Sequence, residues 1–293
     1  MKKEQIPLSK LTSLHVGGPA RYLFECKTKE DVLEAIQFAT SHSLPFITLG
    51  KGSNVIFSDD GYPGVVILMQ NRSIEVSGTT VTAGAGAFMR LVTTKALEAG
   101  LRGTEELAGI PGTIGGAVRG NAGTWSTETK DILKSVLVLK PNGKGEYEET
   151  VMTPNECDFG YRHSIFKLNP DWIILSATLA LTPGDKEEGE ALVRKDYEQR
   201  HLKQPYDAPS AGSVFKNPDK QAGIYSGSLI EQCNLKGMTI GGAQVSEKHG
   251  NFIVNKGGAT SQDVLRLIAH IQAVVLKEKG VQLEPEIQII ANI

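Results

Sequence analysis

The stretch GKGSN, residues 50 to 54, combines two glycines with three side chains that can donate hydrogen bonds. Its Lys-Gly-Ser order is similar to the end of a Walker loop, but the upstream glycine is absent and the following NVIFSDD predicts a strand, not a helix. A dinucleotide fingerprint also fails, because no G-x-G-x-x-G follows a strand and opens a helix. Two interpretations remain, a nest of backbone N–H groups that holds a pyrophosphate and a plain turn between strands.

A second glycine cluster, AGIPGTIGGAVRGNAG over residues 108–123, shows neither a helical nor a strand period. We therefore predict a long loop, and long loops inside compact proteins usually carry function. Its glycines indicate that the backbone repeatedly approaches a bound group. A long, flat, phosphate-bearing cofactor would account for both glycine clusters.

Three residues outside these clusters have side chains that could take part in chemistry. Arg162, in FGYRHSIF, could hold a planar carboxylate through two parallel hydrogen bonds, although a surface arginine is the alternative. Ser213, in PSAGSVFKNP, has no neighbouring histidine, so a hydrolytic triad is not supported and a turn hydroxyl is the simpler interpretation. Glu286 lies in VQLEPEIQII, a predicted final strand in which it shares one face with Glu284 and Gln288. A carboxyl group in such an apolar lobe needs a partner or a function.

Local patterns predict the elements that position these residues. Capping boxes at Thr28 and Thr260 begin two amphipathic helices, and Gly100 closes a third helix over AFMRLVTTKALEAG. PFITLG and GVVIL are predicted strands on either side of the first glycine turn, and hairpins are predicted over 73–86 and 132–152.

The C-terminal third is predicted to follow a charged, solvated helix over 185–205. It contains a predicted helix over 222–233 and short strands before the helix that begins at Thr260. Because helices and strands do not alternate as a regular βαβ series along the chain, we predict an α+β fold of two or three lobes.

The composition of the 293 residues excludes several classes of protein. Lysine and arginine number 31 against 33 acidic residues, so no nucleic-acid-binding stripe is indicated. The three cysteines lie far apart and the six histidines show no metal-ligand spacing, so we predict no disulfide framework and no metal. Neither a secretory signal nor an apolar run of membrane-spanning length is found, so we expect no membrane insertion and a cytoplasmic location.

Taken together, the two glycine clusters resemble the flavin-binding lobe of the UDP-N-acetylenolpyruvoylglucosamine reductases, NADPH-dependent flavoenzymes of peptidoglycan precursor synthesis. The motifs HVGGPA, FGYRHSIF, PSAGSVFKNP, LIEQCNLKGMTIGGAQVS and NFIVN follow in the family's order, and the similarity runs from TSLHVGGPARY to LEPEIQII. The resemblance implies an α+β protein with a vanillyl-alcohol-oxidase/PCMH-type FAD-binding fold. Its two α+β subdomains would span residues 1–69 and 70–184, and a C-terminal α+β substrate-binding domain would span 185–293.

By this resemblance the cofactor is FAD, and GKGSN holds its pyrophosphate while the 108–123 segment lies near the flavin ring. The cofactor contacts that this implies are Gly50, Lys51, Gly52, Ser53, Asn54, Gly109, Ile110, Pro111, Gly112, Gly115, Gly116, Ala117, Asn121, Ala122 and Gly123.

The family's reaction implies roles for the three chemical candidates. NADPH reduces FAD, flavin N5 delivers hydride to C3 of UDP-N-acetylglucosamine enolpyruvate, and a proton arrives at C2 to give UDP-N-acetylmuramate. Matched to the family's motifs, Arg162 polarises the substrate carboxylate, Ser213 donates the proton and Glu286 helps to organise the enolic intermediate. The implied substrate contacts are Tyr161, Lys203 and Asn217.

The chain departs from the family's pattern at several positions. Arg119 and Gly120 stand where bulkier apolar residues are expected, and His15 stands where a small residue is usual. A tyrosine-bearing insertion is missing, so the chain resembles the shorter subtype, in which the substrate diphosphate must be held differently. We expect a monomer.

Two alternatives stay open at this point. An FAD-dependent sugar or alcohol oxidase of the same fold commonly tethers its flavin through histidine or cysteine, and neither residue occurs in the glycine clusters. A non-catalytic flavin or nucleotide-sugar binder would not need Arg162, Ser213 or Glu286 for turnover.

Overall fold

The computed structural model describes residues 2–290 except 125 and 144. The chain forms two compact units, each assembled from separate segments. Unit 1 contains the residues up to Lys3, Tyr22–Lys51 and Gly64–Gln199, and unit 2 contains Glu4–Arg21, Gly52–Pro63 and the residues from Arg200. The three-domain division stays a prediction.

The strands are numbered in chain order. They are β1 Lys2–Pro7, β2 Pro19–Cys26, β3 Phe46–Leu49, β4 Val55–Phe57, β5 Tyr62–Met69, β6 Ile74–Ser77, β7 Thr80–Gly84, β8 Leu101–Arg102, β9 Leu133–Pro141, β10 Tyr147–Met152, β11 Ile173–Ala180, β12 Thr182–Pro183, β13 Ser210–Ser213, β14 Thr239–Ile240, β15 Ala243–Val245, β16 Phe252–Asn255 and β17 Gln288–Ile290.

The α-helices are α1 Lys29–Ser41, α2 Met89–Glu98, α3 Ile114–Gly120, α4 Thr129–Ile132, α5 Ile165–Leu168, α6 Lys186–Lys203, α7 Ser226–Gln232 and α8 Ser261–Lys279. Short 3₁₀ turns span Leu8–Lys10, Glu105–Leu107 and Pro154–Cys157.

Unit 1 consists mainly of three helices, the larger part of one sheet and the whole of a second sheet. One sheet has the strand order β1-β2-β5-β3, with β3 and β5 parallel, and the other is antiparallel in the order β10-β9-β11-β7-β6. Helix α1 begins at the predicted capping box, in which the Thr28 hydroxyl accepts from the Asp31 N–H and the Asp31 carboxylate accepts from the Thr28 N–H. Buried residues of α1, α2 and α3 join one apolar cluster with both sheets, so this unit has its own core.

The prediction of a structureless loop over 108–123 is wrong, because α3 occupies its centre. The Thr113 hydroxyl accepts from the Gly116 N–H at 3.5 Å, and Asn121 closes the helix with a left-handed φ of 42°. Glycine-rich segments have poor intrinsic helix propensity, so the local pattern gave no helical signal. Tertiary packing favours the helix instead, since Ile114 and Val118 are buried in the unit 1 core.

Unit 2 is built around a small antiparallel sheet of order β13-β16-β15-β14 and the long helix α8. Helix α8 begins at the predicted capping box of Thr260 and Asp263. Its predicted apolar face is buried with β15 and β16 in the second core. That face consists of Val264, Leu267, Ile268, Ile271 and Val275.

Two predicted elements of unit 2 are shorter than expected. The final strand is confined to β17, which pairs in parallel with β4, so the expected common face of Glu284, Glu286 and Gln288 on one strand is wrong. Pro285 lies between the two glutamates and has no N–H to donate to a ladder. The helix predicted over 222–233 begins only at Ser226, because a turn with Gly223 at a φ of 72° precedes it.

Candidate functional site

The GKGSN turn is divided between the two units. Its first two residues belong to unit 1, where a Cβ added at Gly50 would lie 2.4 Å from Thr113 Oγ1. Thr113 caps α3, so only glycine lets this turn approach the start of the second glycine cluster. The Lys51 ammonium group lies 6.0 Å from the ring centroid of Phe88, and the Arg72 guanidinium lies 4.8 Å from the same centroid.

A cavity lies beside Gly50 within unit 1. Its walls are mainly apolar, with Thr48, Thr113 and Arg119 as the polar contributors. The other lining residues are Leu49, Gly50, Met69, Ala85, Gly115, Gly116, Trp172 and Ile174. Apolar walls with a few polar groups are typical of cofactor pockets.

The predicted cofactor residues of the second cluster fall on three parts of the chain. Gly109, Ile110, Pro111 and Gly112 precede α3, whereas Gly115, Gly116 and Ala117 lie on it. A Cβ at Gly115 would lie 3.0 Å from the Ala85 Cβ, so this glycine is needed for packing, whereas Gly116 has only a 3.7 Å contact with Thr113 and faces open space. Asn121, Ala122 and Gly123 follow the helix.

Asn121 is fully buried, and its side chain is saturated by protein contacts. Its amide nitrogen donates to Glu128 Oε2 and to the Gly160 carbonyl oxygen at 3.0 Å each, and its amide oxygen accepts from the Lys130 N–H at 3.1 Å. The side chain therefore links the end of α3 to the turn that carries Arg162.

Arg162 occupies a tight turn in unit 1 between Gly160 and His163, whose backbone groups exchange two hydrogen bonds of 3.1 Å. Its φ of 55° is left-handed, a conformation that usually selects glycine at this position of a turn. The guanidinium donates to the Gly123 carbonyl oxygen at 3.3 Å, and its Nε and Nη1 atoms are buried. Tyr161 lies beside it, with its ring centroid 5.5 Å from the guanidinium carbon. A buried cation on a strained backbone is typical of a functional position.

The remainder of the GKGSN turn belongs to unit 2. Gly52 has a φ of 64°, and a Cβ there would lie 2.2 Å from the Leu11 carbonyl oxygen. Asn54 contacts the chain around Glu286: its side-chain amide donates to the Glu286 carbonyl oxygen at 3.3 Å, and its own carbonyl accepts from the Gln288 N–H at 3.0 Å. The predicted cofactor turn and the predicted acidic residue are therefore neighbours within unit 2.

Ser213 and Glu286 are also close neighbours within this unit. Ser213 ends β13 opposite Phe252, and the Glu286 N–H donates to the carbonyl of the next residue, Val214, at 2.8 Å. Gly212 precedes the serine with a φ of 75°. Both Ser213 and Glu286 are half-buried. The structure thus brings together two of the three predicted catalytic residues in unit 2, and Arg162 belongs to unit 1.

Asn251 is a residue of this cluster that sequence reasoning missed. Its carbonyl accepts from the Val214 N–H at 2.9 Å, and its buried side chain both accepts from the Phe215 N–H at 2.9 Å and donates to the Phe215 carbonyl at 2.8 Å. These bonds fix the segment that follows Ser213. An asparagine at the start of the apolar run FIVN was the available signal, because a polar side chain beside a core strand needs partners.

The predicted substrate contacts in unit 2 are differently placed. Asn217 accepts from the Ser226 N–H at 3.1 Å through its side-chain oxygen. Lys216 forms an ion pair with the exposed Glu284, which explains the first glutamate of LEPEIQII without a catalytic role. Lys203 is exposed at the end of α6.

His15 is exposed in a left-handed conformation with a φ of 59°, which glycine adopts at lower cost than a residue with a side chain. Across residues 2–290, apart from 125 and 144, no cluster of three histidine, cysteine or acidic side chains is arranged to hold a metal ion. Over the same residues, no helix has the length and apolar character needed to cross a membrane.

Comparison with known protein families matches both parts of the chain. Residues 20–146 match the FAD binding domain family, and residues 204–290 match the family UDP-N-acetylenolpyruvoylglucosamine reductase, C-terminal domain.

Relatives named UDP-N-acetylenolpyruvoylglucosamine reductase match over nearly the full length. The protein from Carboxydothermus hydrogenoformans is 42% identical over 99% of this chain and 94% of the relative. The protein from Lactobacillus acidophilus is 45% identical over 99% of this chain and 95% of the relative. The crystal structure of UDP-N-acetylenolpyruvylglucosamine reductase from Thermus caldophilus matches with a TM-score of 0.83 and 37% identity, covering 99% of this chain and all of that one.

These matches make the chain a flavoprotein of the FAD-binding α+β class with a distinct C-terminal domain, which confirms the predicted fold class. At the level of family, the chain belongs to the UDP-N-acetylenolpyruvoylglucosamine reductases, which confirms the resemblance.

Proposed function

We propose that this protein reduces UDP-N-acetylglucosamine enolpyruvate to UDP-N-acetylmuramate in peptidoglycan precursor synthesis, with FAD as its cofactor and NADPH as the electron source. Family membership supports the reaction class. The observation that carries the proposal is the placement of Arg162 in the family's motif. Its backbone has a φ of 55°, and the Nε and Nη1 atoms of its guanidinium are buried. Strain of this kind persists where function requires a particular side chain at a particular place.

The residues present fit FAD. A Cβ at Gly50 or Gly52 would collide with the protein at 2.4 or 2.2 Å. This turn therefore requires glycine at both positions, and no side chain at either one covers its backbone N–H groups. Next to Gly50, the unit 1 cavity offers apolar walls for an aromatic ring and a guanidinium for a phosphate. When bound and reduced, FAD supplies the hydride that C3 of the enolpyruvyl group accepts.

Arg162 would bind the substrate carboxylate. Hydride addition at C3 moves negative charge onto that carboxylate, and a guanidinium stabilises it best when desolvated and already oriented. The Gly123 carbonyl contact and the Asn121–Gly160 bond hold the turn so that little reorganisation is needed. Tyr161 forms the wall beside the guanidinium and would also contact substrate.

Ser213 would donate the proton to C2, and Glu286 would orient the developing enolic group. Both lie on chain segments joined by the Glu286–Val214 backbone bond, and Asn251 fixes the Ser213 side of that junction. A serine hydroxyl is a weak acid, so its contribution depends on being held in line with the carbon that accepts the proton. Asn217 and Lys203 would bind the nucleotide-sugar part of the substrate.

We also propose a monomeric protein of a reducing compartment, the cytoplasm. Burial raises the pKa of Cys26 to about 12 and the pKa of Cys157 to about 11. Both thiols therefore stay protonated and unreactive at neutral pH. This behaviour fits structural cysteines of a cytoplasmic enzyme.

The proposal is tested by measuring the two half-reactions separately. Ser213→Ala should slow reoxidation of the reduced flavin by UDP-N-acetylglucosamine enolpyruvate about 100- to 10,000-fold, as expected for loss of a general acid. Flavin reduction by NADPH should stay within about two-fold of the wild type, because a general acid for C2 takes no part in that step. Ser210→Ala is the matched control, since Ser210 lies on the same strand and is equally half-buried. An equal loss in both half-reactions would remove Ser213 from the role of acid.

A further inference from the structure

Arg119 places a positive charge on the wall of the unit 1 cavity. It lies in the last turn of α3 and lines the same cavity as Gly50, the first residue of the GKGSN turn. The neighbouring wall is formed partly by Gly115 and Gly116, which contribute no side chains.

No acidic side chain among the described residues forms an ion pair with this guanidinium. Within the described chain its hydrogen bond goes to the Phe166 carbonyl oxygen, from Nη1. A guanidinium has five N–H donors, so this one bond leaves further donors for a bound group. Burial lowers the pKa of Arg119, the direction expected for a cation that lacks a counter-charge.

A buried charge is costly unless an opposite charge compensates it. The Phe166 carbonyl is a neutral acceptor and does not compensate this charge, whereas the cavity that Arg119 lines has room for an anionic group. The cavity combines an aromatic and aliphatic wall, including Trp172, Leu49 and Met69, with a compact glycine turn. An anion attached to a flat aromatic group fits this combination, and a dinucleotide carries both.

We propose that Arg119 binds a phosphate of the ADP half of FAD and thereby makes this chain selective for the dinucleotide over shorter flavins. The inference rests on the proposed function insofar as FAD is the cofactor, but it does not depend on the substrate. Arginine suits this role because its planar fork matches two phosphate oxygens. The contact adds a charge-assisted hydrogen bond to those that the backbone at Gly50 can make.

The test compares flavins of different length on the apoprotein of Arg119→Met, Arg119→Lys and the wild type. Dissociation constants for FAD and riboflavin are measured by quenching of flavin fluorescence, and ADP is titrated alone by calorimetry. Arg119→Met should weaken FAD and ADP about 10- to 100-fold, the loss expected for one charged hydrogen bond, and leave riboflavin unchanged. Arg119→Lys should recover part of the loss. Arg194→Met is the matched control, because Arg194 is an exposed arginine of α6 in the same unit.

Each outcome either supports or overturns the proposed phosphate contact of Arg119. Unchanged FAD and ADP affinities in Arg119→Met would overturn the inference. Equal weakening of FAD and riboflavin, with a lower unfolding temperature of the apoprotein, would also overturn it, because the Phe166 bond would then be the whole role of Arg119. Selective loss of FAD and ADP supports it even if the wild type fails to turn over UDP-N-acetylglucosamine enolpyruvate, in which case only the proposed reaction falls. A wild type that binds neither FAD nor ADP would overturn both.

Discussion

Replacing Arg162 separately with glycine and alanine would separate the strain of its backbone from the function of its side chain. A left-handed conformation costs a non-glycine residue about 1–2 kcal/mol. Arg162 has a φ of 55°, so alanine retains this cost and glycine removes it. Glycine also has more conformational freedom in the unfolded chain, and this offsets about 0.4–1 kcal/mol of the stability gained by removing the strain. Arg162→Gly should therefore be more stable than Arg162→Ala by about 0.5–1 kcal/mol, although both lack the guanidinium.

Urea unfolding of the FAD-loaded variants measures that difference, and stopped-flow kinetics measure what the side chain contributes. Both variants should lose about 100- to 1,000-fold in flavin reoxidation by substrate, the loss typical of removing one group that stabilises an oxyanion. Flavin reduction by NADPH should be preserved in both.

Asp158 provides the control, because it has a φ of 46° in the same segment and its side chain is exposed. Asp158→Gly should exceed Asp158→Ala in stability by a similar amount, with normal turnover. Equal stabilities of the glycine and alanine variants at position 162 would refute the strain argument, and normal reoxidation in either would refute the catalytic one.

Three further predictions concern unit 2. Asn251→Ala leaves the Phe215 N–H and carbonyl without their side-chain partners. Urea unfolding should show that the free energy of unfolding falls by about 2–4 kcal/mol. A fall of less than about 1 kcal/mol would contradict the stabilising role of Asn251. Hydrogen bonds, first that from the Thr260 N–H, lower the pKa of Asp263 from 3.8 to about 2. The stabilising effect of this carboxylate is therefore complete above about pH 4 and lost toward pH 2, and the unfolding temperatures of Asp263→Asn and wild type should converge over that range. Burial lowers the pKa of His249 below 6.5, so protonation favours the unfolded chain and stability should fall as pH drops below 6.5. Unfolding of His249→Gln should show a weaker dependence on pH there, and an unchanged dependence would count against this assignment.

Elements defined by local hydrogen bonds could be predicted from the sequence. The capping boxes at Thr28 and Thr260 are closed by residues three positions away, so the pattern contains both partners. The Arg162 motif and the GKGSN turn could be found for a related reason. Binding a carboxylate or a phosphate restricts which residue types can stand in such a motif and how they are spaced. Their conformations were not foreseen, since a left-handed φ at arginine contradicts local preference.

Features defined by distant partners could not be predicted. Helix α3 forms in a glycine-rich segment because its buried face packs in the unit 1 core, and no local signal reports this. The role of Asn251 depends on Phe215, which lies 36 residues away. Pro285 shortens the last strand, a consequence that the alternating pattern of VQLEPEIQII concealed.

The most direct test of the account is NADPH oxidation by the purified, FAD-loaded protein with and without UDP-N-acetylglucosamine enolpyruvate, under anaerobic conditions. The account predicts consumption of one NADPH for each UDP-N-acetylmuramate formed, and none beyond reduction of the bound flavin when the substrate is omitted. A protein that binds FAD but forms no UDP-N-acetylmuramate, and oxidises NADPH only when oxygen is admitted, would contradict the proposed reaction.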